Sequence, residues 1–223
     1  MSNYESQIES LSLNPLAFSP VLIIGNVGCG KTYFLEKYRA KRNIVYKPAF
    51  GEWSDSEGAK IFSADEVCQN IIDAIRKGKE NSWKKMFDPV DVIIIDDIQR
   101  LAGKTTTQQL LFSYFLTCNK AIIITSNSEL NKKDFSKELI SFLSTGAHIY
   151  IDDPDKESKL EFLVTSLCAA NIEVENEALL WLSNQNFLSY AAIKGFVKTL
   201  NLFSTNETLS IADCIKCSKG YIY

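Results

Sequence analysis

The fold is decided by one stretch near the N-terminus, Val21-Leu-Ile-Ile-Gly25-Asn-Val-Gly-Cys-Gly30-Lys31-Thr32-Tyr-Phe-Leu-Glu-Lys-Tyr38. Its pattern predicts a buried apolar strand, a glycine-rich turn and then a helix. From Gly25 to Thr32 the turn matches G-x-x-x-x-G-K-[ST] in full. Glycines let backbone N–H groups turn inward around phosphate oxygens, and the helix N-terminus adds the positive end of its dipole. The stretch therefore predicts a phosphate-binding loop for a nucleotide.

The side chains that close this motif have separate predicted roles. Lys31 is expected to reach the β- and γ-phosphates, and the Thr32 hydroxyl is expected to ligate Mg²⁺. The alternative is a glycine-rich turn that matches by chance, which the strand before it and the helix after it make less favourable. The predicted ligands are ATP or ADP with Mg²⁺, and the predicted binding residues are Gly25, Asn26, Val27, Gly28, Cys29, Gly30, Lys31, Thr32 and Tyr33.

A second chemical motif is Val90-Asp-Val-Ile-Ile-Ile-Asp96-Asp97. Its continuous β-branched run predicts a strand buried on both faces, as in a parallel sheet covered by helices. The two carboxylates follow the strand at its C-terminal edge, where open α/β sheets bind their ligands. Asp96 is predicted to hold Mg²⁺, and Asp97 to polarise the attacking water as the catalytic residue. The alternative is that adjacent aspartates merely end a strand.

Three further segments complete the predicted sheet. Lys120-Ala-Ile-Ile-Ile-Thr125-Ser126-Asn127 is a strand with a polar end, which would present Asn127 or Ser126 towards the γ-phosphate water. Turn chemistry explains Asn127 equally well. His148–Asp152 is predicted as a fifth strand, and 44–47 as the second, followed by a loop over 48–60. The predicted fold class is α/β, a P-loop five-stranded parallel sheet with helices on both faces.

The character of the sequence changes after Pro154. Helical spacing of apolar residues runs through Lys156–Ala170, Glu177–Gln185 and Tyr190–Phe203. We therefore predict a nucleotide-binding domain over 1–154 and a small all-helical lid domain over 155–223. Cys214-Ile-Lys-Cys217 is a lone C-x-x-C, which favours one face of a helix or strand over a metal or redox pair.

Composition excludes several classes of protein. The chain has 223 residues, 46% of them apolar, and a net charge of −3, which does not suit a dedicated binder of double-stranded DNA. No apolar run approaches a membrane span, and the polar N-terminus does not suit a signal peptide. The six scattered cysteines favour reduced thiols and a cytoplasmic location. A single histidine, His148, excludes a histidine-rich metal site.

Three stretches resemble the AAA+ replication initiator DnaA and its regulatory paralogue Hda. They are Asn26–Thr32, Ile124–Ser126 and, most specifically, Asp91-Val-Ile-Ile-Ile-Asp-Asp-Ile-Gln-Arg-Leu-Ala-Gly-Lys104. Ser63–Phe87 is also similar to the helical region that precedes this strand in DnaA. The resemblance covers nearly the whole chain and implies an AAA+ ATPase module. We expect no C-terminal DNA-binding domain, which favours the Hda-like branch.

The sequence departs from that family pattern in its arginines and near its beginning. The family carries an arginine finger just before the fifth strand, and the matching segment of this chain is Lys137–Ala147. The family also carries a sensor arginine in the lid, and the matching segment here is Leu188–Lys194. No arginine occurs after Arg100. Lysine lacks the planar bidentate fork of arginine, so Lys194 would be only a partial substitute. The chain is also expected to begin after the family's adenine-contacting segment.

The resemblance leads to two main hypotheses. In the first, the protein binds nucleotide, hydrolyses ATP at most weakly, and regulates initiation of chromosomal replication through a DnaA-type initiator. In the second, it is a non-catalytic AAA+ adaptor that binds DnaA or the sliding clamp. Gln7–Leu13 loosely resembles clamp-binding peptides, although a first helix that packs Ile8 and Leu11 inward explains it as well. Self-association and a DnaC-type loading ATPase are further possibilities, and no membrane partner is expected.

Overall fold

The computed structural model describes residues 4–45, 57–79, 81–203 and 208–222. The chain divides into two compact units. The first, which we call the sheet unit, comprises Met1–Gly25 and Lys31–Ile151. The second, the helical unit, comprises Asn26–Gly30 and Asp152–Tyr223. The domain boundaries 1–154 and 155–223 remain a prediction, because compactness does not by itself show that either part folds alone.

The sheet unit contains five parallel strands in the order β2-β3-β4-β1-β5. The predicted fold class is confirmed. Every residue of β1 and β4 is buried, as expected for continuous apolar runs inside a covered sheet. The strands are β1 Val21–Ile24, β2 Glu57–Ser63, β3 Val90–Asp96, β4 Ala121–Ser126 and β5 Ala147–Tyr150. Because β3 and β4 are neighbours and parallel, the residues after both strands lie at the same edge of the sheet.

The prediction for the second strand was wrong. Ile44 and Val45 end helix α3, and residues 46–56 lie outside the described ranges. The strand instead occupies Glu57–Ser63, part of which was predicted as loop. It pairs in parallel with β3 from Glu57 opposite Val90 to Ser63 opposite Asp96. Tertiary pairing therefore overrides the weak strand preference of a segment that contains Gly58 and Lys60.

The helices of the sheet unit pack on an apolar core centred on β3 and β4. Two of them begin with a serine cap: the hydroxyl of Ser63 accepts from the Glu66 N–H, and that of Ser136 accepts from the Leu139 N–H. A third local feature is Gly146, where a Cβ would lie 1.7 Å from the Pro20 carbonyl oxygen, so only glycine fits. These helices are α1 Glu5–Leu13, α2 Pro15–Phe18, α3 Lys31–Val45, α4 Ala64–Arg76, α5 Thr105–Phe115 and α6 Lys137–Leu143. Short 3-10 turns cover Ser82–Phe87 and Ile98–Leu101.

The helical unit has its own apolar core, with Leu163, Ile193, Phe196 and Leu200 fully enclosed. Its helices are α7 Lys156–Ala169, α8 Asn176–Ser183, α9 Tyr190–Phe203 and α10 Ile211–Ser218. The first three agree with the segments expected from helical spacing. The fourth was not predicted; it contains the C-x-x-C and begins with a capping box between Ser210 and Asp213. Within the described ranges, no helix is both long and apolar enough to cross a bilayer.

Candidate functional site

Two contacts in the sheet unit hold Gly25, the residue that follows β1, to the end of β4 and to the start of α3. The Gly25 N–H donates to the Ser126 carbonyl oxygen at 3.2 Å, which ties the end of β1 to the end of β4. Lys31 is the first residue of α3, and its ammonium donates to the Gly25 carbonyl oxygen at 2.6 Å. The Lys31 side chain is 6% exposed, so its charge is held at the end of the buried strand.

The intervening loop, Asn26–Gly30, belongs to the helical unit. Gly28 and Gly30 have φ values of 82° and 117°, which residues with a Cβ rarely adopt. A Cβ on Gly28 would also lie 2.7 Å from the Cβ of Ser189, and the Gly28 carbonyl accepts from the Tyr190 N–H at 3.3 Å. The Asn26 amide donates to Asp153 at 2.9 Å. The loop therefore requires glycine for conformation and for space.

The hydroxyl of Thr32 and a carboxylate oxygen of Asp96 lie together in the sheet unit. Thr32 Oγ1 donates to Asp96 Oδ2 at 3.1 Å. The other carboxylate oxygen, Oδ1, accepts a hydrogen bond from the Thr125 hydroxyl. Hydroxyl and carboxylate oxygens are the ligands that Mg²⁺ prefers. In the described part of the chain no group of three or more His, Cys, Asp or Glu side chains could hold a metal, but Mg²⁺ bound with phosphates needs only one or two protein ligands.

Asp97 follows β3 in a left-handed conformation, with φ 62° and ψ 51°. Its backbone N–H donates to Thr125 Oγ1 at 2.9 Å. Its carboxylate oxygen Oδ1 accepts from the Gln99 side-chain amide at 2.7 Å. The Thr125 hydroxyl thus contacts both acidic residues, because it donates to the Asp96 carboxylate and accepts from the Asp97 backbone.

The two residues proposed at the end of β4 have different surroundings. Ser126 is fully buried, and its hydroxyl donates to the Ser128 carbonyl at 2.6 Å, which is turn chemistry. The Asn127 N–H donates to Gln99 Oε1 at 3.3 Å. Asp97 and Asn127 are therefore joined through the same glutamine.

Sequence reasoning assigned no role to Thr125 or Gln99. Thr125 follows an apolar run in a strand that was predicted to be buried. A polar residue at such a position was the sequence signal for a polar contact, and the structure shows Thr125 fully buried. Gln99 lay within the Asp-Asp-Ile-Gln stretch that carried the resemblance, but its spacing alone predicts only a turn. Tyr33 lies on α3, and the Lys37 ammonium is 5.5 Å from its ring centre. The role of Tyr33 in binding nucleotide remains a prediction.

The cysteine pair and the histidine are structural. Burial raises the pKa of the Cys214 thiol to about 11 and also raises the pKa of Cys217. Thiols in that state are poor nucleophiles and poor metal ligands, which agrees with one buried face of α10. The His148 ring lies with Nε2 3.2 Å from the Leu143 carbonyl oxygen.

The segments where the family pattern has arginines are helical here. Residues Lys137–Leu143 form α6, and α9 begins at Tyr190. The Lys194 ammonium lies 5.9 Å from the ring centre of Phe162, a cation–π distance within the helical unit.

The parallel sheet, the glycine-dependent loop and the paired acidic residues after β3 define an AAA+ P-loop nucleotide-binding domain. Two solved DnaA structures illustrate the similarity, and each covers 90% or more of this chain. Domain III of the Thermotoga maritima replication initiation protein DnaA matches with a TM-score of 0.83 and 22% identity over 97% of this chain and 90% of that one, which shows the fold. AMPPCP-bound DnaA from Aquifex aeolicus matches with a TM-score of 0.70 and 26% identity over 90% of this chain and 61% of that one.

Sequence comparison shows the family. A family model described as the bacterial DnaA ATPase domain matches residues 6–150. DnaA of Spiroplasma citri is 31% identical over 91% of this chain and 46% of that protein, and DnaA of Aquifex aeolicus is 29% identical over 88% and 47%. This chain belongs to the bacterial DnaA ATPase domain family. It spans less than half the length of these curated relatives.

Proposed function

We propose that this protein binds ATP or ADP with Mg²⁺ and regulates initiation of DNA replication through a DnaA-type initiator. The observation that carries the proposal is the chain of hydrogen bonds from Thr32 through Asp96 to Thr125, which joins the end of the phosphate motif to the acidic motif. The AMPPCP-bound state of the similar Aquifex aeolicus DnaA supports a nucleotide ligand.

The phosphate loop, Lys31, Thr32 and Asp96 each have a proposed role in this site. Residues 25–30 supply backbone N–H groups to phosphate oxygens, and Lys31 supplies a positive charge. Thr32 and Asp96 would hold Mg²⁺, which neutralises negative charge on the phosphates when bound. The charged end of Lys31 must then leave the Gly25 carbonyl for a phosphate oxygen.

Hydrolysis would use Asp97 as the base and Asn127 as the group that orients water. Asp97 takes a proton from the water as the water oxygen bonds to the γ-phosphorus, while the bond from that phosphorus to the β–γ bridging oxygen breaks. The products are ADP and inorganic phosphate. A carboxylate in this role contributes about 10²- to 10⁴-fold to the rate.

A specific observation favours a second candidate function, the non-catalytic adaptor. No arginine follows Arg100, and an arginine finger contributes about 10³- to 10⁵-fold in phosphoryl transfer. Without an arginine at the position of the finger, the chain would use nucleotide only as a structural ligand. Its partner would be the initiator or the sliding clamp.

The contacts of α1 help to decide whether this segment packs as a helix or binds the sliding clamp. Leu11 is 3% exposed, the Tyr4 ring meets the Phe34 ring, and Arg42 donates to the Ser12 carbonyl at 3.0 Å. These contacts favour a helix that packs on α3 over an extended clamp-binding peptide. We therefore rank the initiator above the clamp as partner. We also propose a cytoplasmic location, which accords with six cysteines outside disulfides.

Calorimetry with Mg-ATP and Mg-ADP tests the nucleotide site. We expect micromolar binding by the wild-type protein, and Lys31→Ala to weaken it by about 100-fold, or about 2.7 kcal/mol. Lys41→Ala is the matched control, because Lys41 is an exposed lysine of the same helix. Equal binding by the wild type and Lys31→Ala, or no binding by the wild type, would reject the site.

ATP turnover separates the two candidate functions. If the protein hydrolyses ATP, alone or mixed with a DnaA-type initiator, Asp97→Asn should lower the rate by about 100-fold and leave Mg-ATP binding intact. Intact binding with no turnover in either mixture would support the adaptor.

A further inference from the structure

One side chain, Gln99, bridges the ends of β3 and β4. Its amide nitrogen donates to Asp97 Oδ1 at 2.7 Å, and its amide oxygen accepts from the Asn127 N–H at 3.3 Å. The two partners follow neighbouring parallel strands and are the residues proposed as base and water sensor. An amide side chain can donate and accept at once, whereas a carboxylate could only accept from Asn127 and would repel Asp97.

The turn that carries Gln99 is rigidly placed. Gln99 lies in the 3-10 turn Ile98–Leu101, and Ile98 and Leu101 on either side of it are fully buried. The Arg100 N–H donates to the Asp97 carbonyl at 3.0 Å and so closes the turn. The glutamine side chain therefore leaves from a fixed backbone and has little freedom to follow a moving carboxylate.

The bond to Asp97 restricts how that carboxylate can act. At 2.7 Å it lies at the short end of the range for N–H···O hydrogen bonds. Because Oδ1 accepts from Gln99, rotation of the Asp97 carboxylate would break this bond. A catalytic side chain must be held within about 10–20° of its productive orientation, and a neighbouring hydrogen bond is a common means of doing so.

We propose that Gln99 is a positioning residue that fixes the Asp97 carboxylate and couples its orientation to the backbone of Asn127. The inference rests on the proposed hydrolytic function for its kinetic consequence, but the coupling itself exists without nucleotide. Gln99 acts through Asp97 and is not itself expected to touch the reacting atoms.

Steady-state kinetics test the positioning role. Gln99→Ala should lower kcat by about tenfold and leave KM for ATP within about twofold, because it misorients the base without altering phosphate contacts. Gln69→Ala is the matched control: Gln69 donates to Asp73 at 2.9 Å on an exposed helix face, and its loss should leave kcat unchanged. A higher or unchanged kcat in Gln99→Ala would overturn the proposal.

A double-mutant cycle separates positioning from a general effect on the fold. If Gln99 acts through the Asp97 carboxylate, adding Gln99→Ala to Asp97→Asn should change kcat by less than about twofold. A further tenfold loss in that background would show that Gln99 works independently of Asp97, and would reject the proposal.

Nuclear magnetic resonance of the full, nucleotide-free chain tests the coupling without turnover. Asp97→Asn should shift the backbone amide resonance of Asn127, and the same substitution should leave that resonance in place when Gln99→Ala is already present. An Asn127 resonance that responds equally with and without Gln99 would reject the coupling even if ATP is hydrolysed. A coupled resonance in a protein without turnover would reject hydrolysis and retain the coupling.

Discussion

The sheet unit and the helical unit both contain aromatic pairs and capped helices, but they differ in their buried polar side chains. In the sheet unit, buried polar side chains support irregular backbone. The Gln108 amide donates to the carbonyl oxygens of Leu101 and Asp134 at 2.7 and 2.8 Å and accepts from the Ser136 N–H at 2.8 Å. The Lys120 ammonium similarly contacts three carbonyl oxygens around the start of β3.

Among the described residues of the helical unit, Ser218 is the one buried polar residue, and aromatic and aliphatic side chains fill the core. Phe196 is fully buried, with the rings of Phe187 and Tyr221 at 5.3 and 6.2 Å. The helices satisfy most of their backbone internally, and side chains such as Asp155 and Ser210 cap their first turns.

The difference follows from where each unit carries irregular backbone. Loops at the carboxyl ends of parallel strands leave N–H and C=O groups that helices do not, and buried groups of that kind must be paired. Those loops also carry Asp97, Gln99 and Asn127. In the sheet unit the same class of buried polar contact therefore supports the fold and orders the candidate site.

The largest expected effect is in the apolar core of the helical unit. Phe196→Ala should lower the free energy of unfolding by about 4 kcal/mol, since it leaves a cavity between two rings. Hydrogen exchange of the full chain should then accelerate mainly in residues 152–203 and 208–222, with little change in β3 and β4. Phe203→Ala, which truncates a 54% exposed phenylalanine of the same helix, is the control. Equal acceleration in both units would show that they unfold as one.

A polar substitution in the sheet unit should have an intermediate effect. Gln108→Leu keeps the size of the side chain but removes three hydrogen bonds. The Leu101 and Asp134 carbonyl oxygens retain backbone donors, whereas the Ser136 N–H loses its partner, and we expect a total cost of about 2 kcal/mol. Urea denaturation measures this loss. Gln69→Leu, at an exposed position, should be close to neutral. If both variants are equally stable, the polar contacts of Gln108 do not support the sheet unit as argued.

The smallest effect concerns the helix caps and pH. The Ser158 N–H lowers the pKa of Asp155, and the Ser210 hydroxyl lowers the pKa of Asp213, both below the usual 3.8. Their stabilising contribution is therefore full above about pH 4 and is lost as the pH falls through the lowered values. The urea midpoint should therefore fall as the pH is lowered below about 4. Asparagine can still accept these hydrogen bonds but does not titrate, so replacing both aspartates by asparagine should reduce the decrease of the urea midpoint with pH. If the decrease is unchanged, it is caused by other carboxylates.

Local pattern alone determined much of this protein. The run Val21–Ile24 followed by the glycine motif predicted β1, the loop and α3, because each element has its own periodicity and the loop needs residues without a Cβ. The β-branched run before Asp96 likewise predicted a buried strand with carboxylates at its ligand-binding edge. Helical spacing indicated α7, α8 and α9.

Only the tertiary structure decided the rest. Glu57–Ser63 becomes a strand because β3 pairs with it, which its own composition does not signal. Gln99 acquires its two partners only when parallel pairing brings the ends of β3 and β4 side by side. The pairing of Glu57–Ser63 and the bond from Asn127 to Gln99 depend on hydrogen bonds between residues distant in sequence, which periodicity and spacing do not encode.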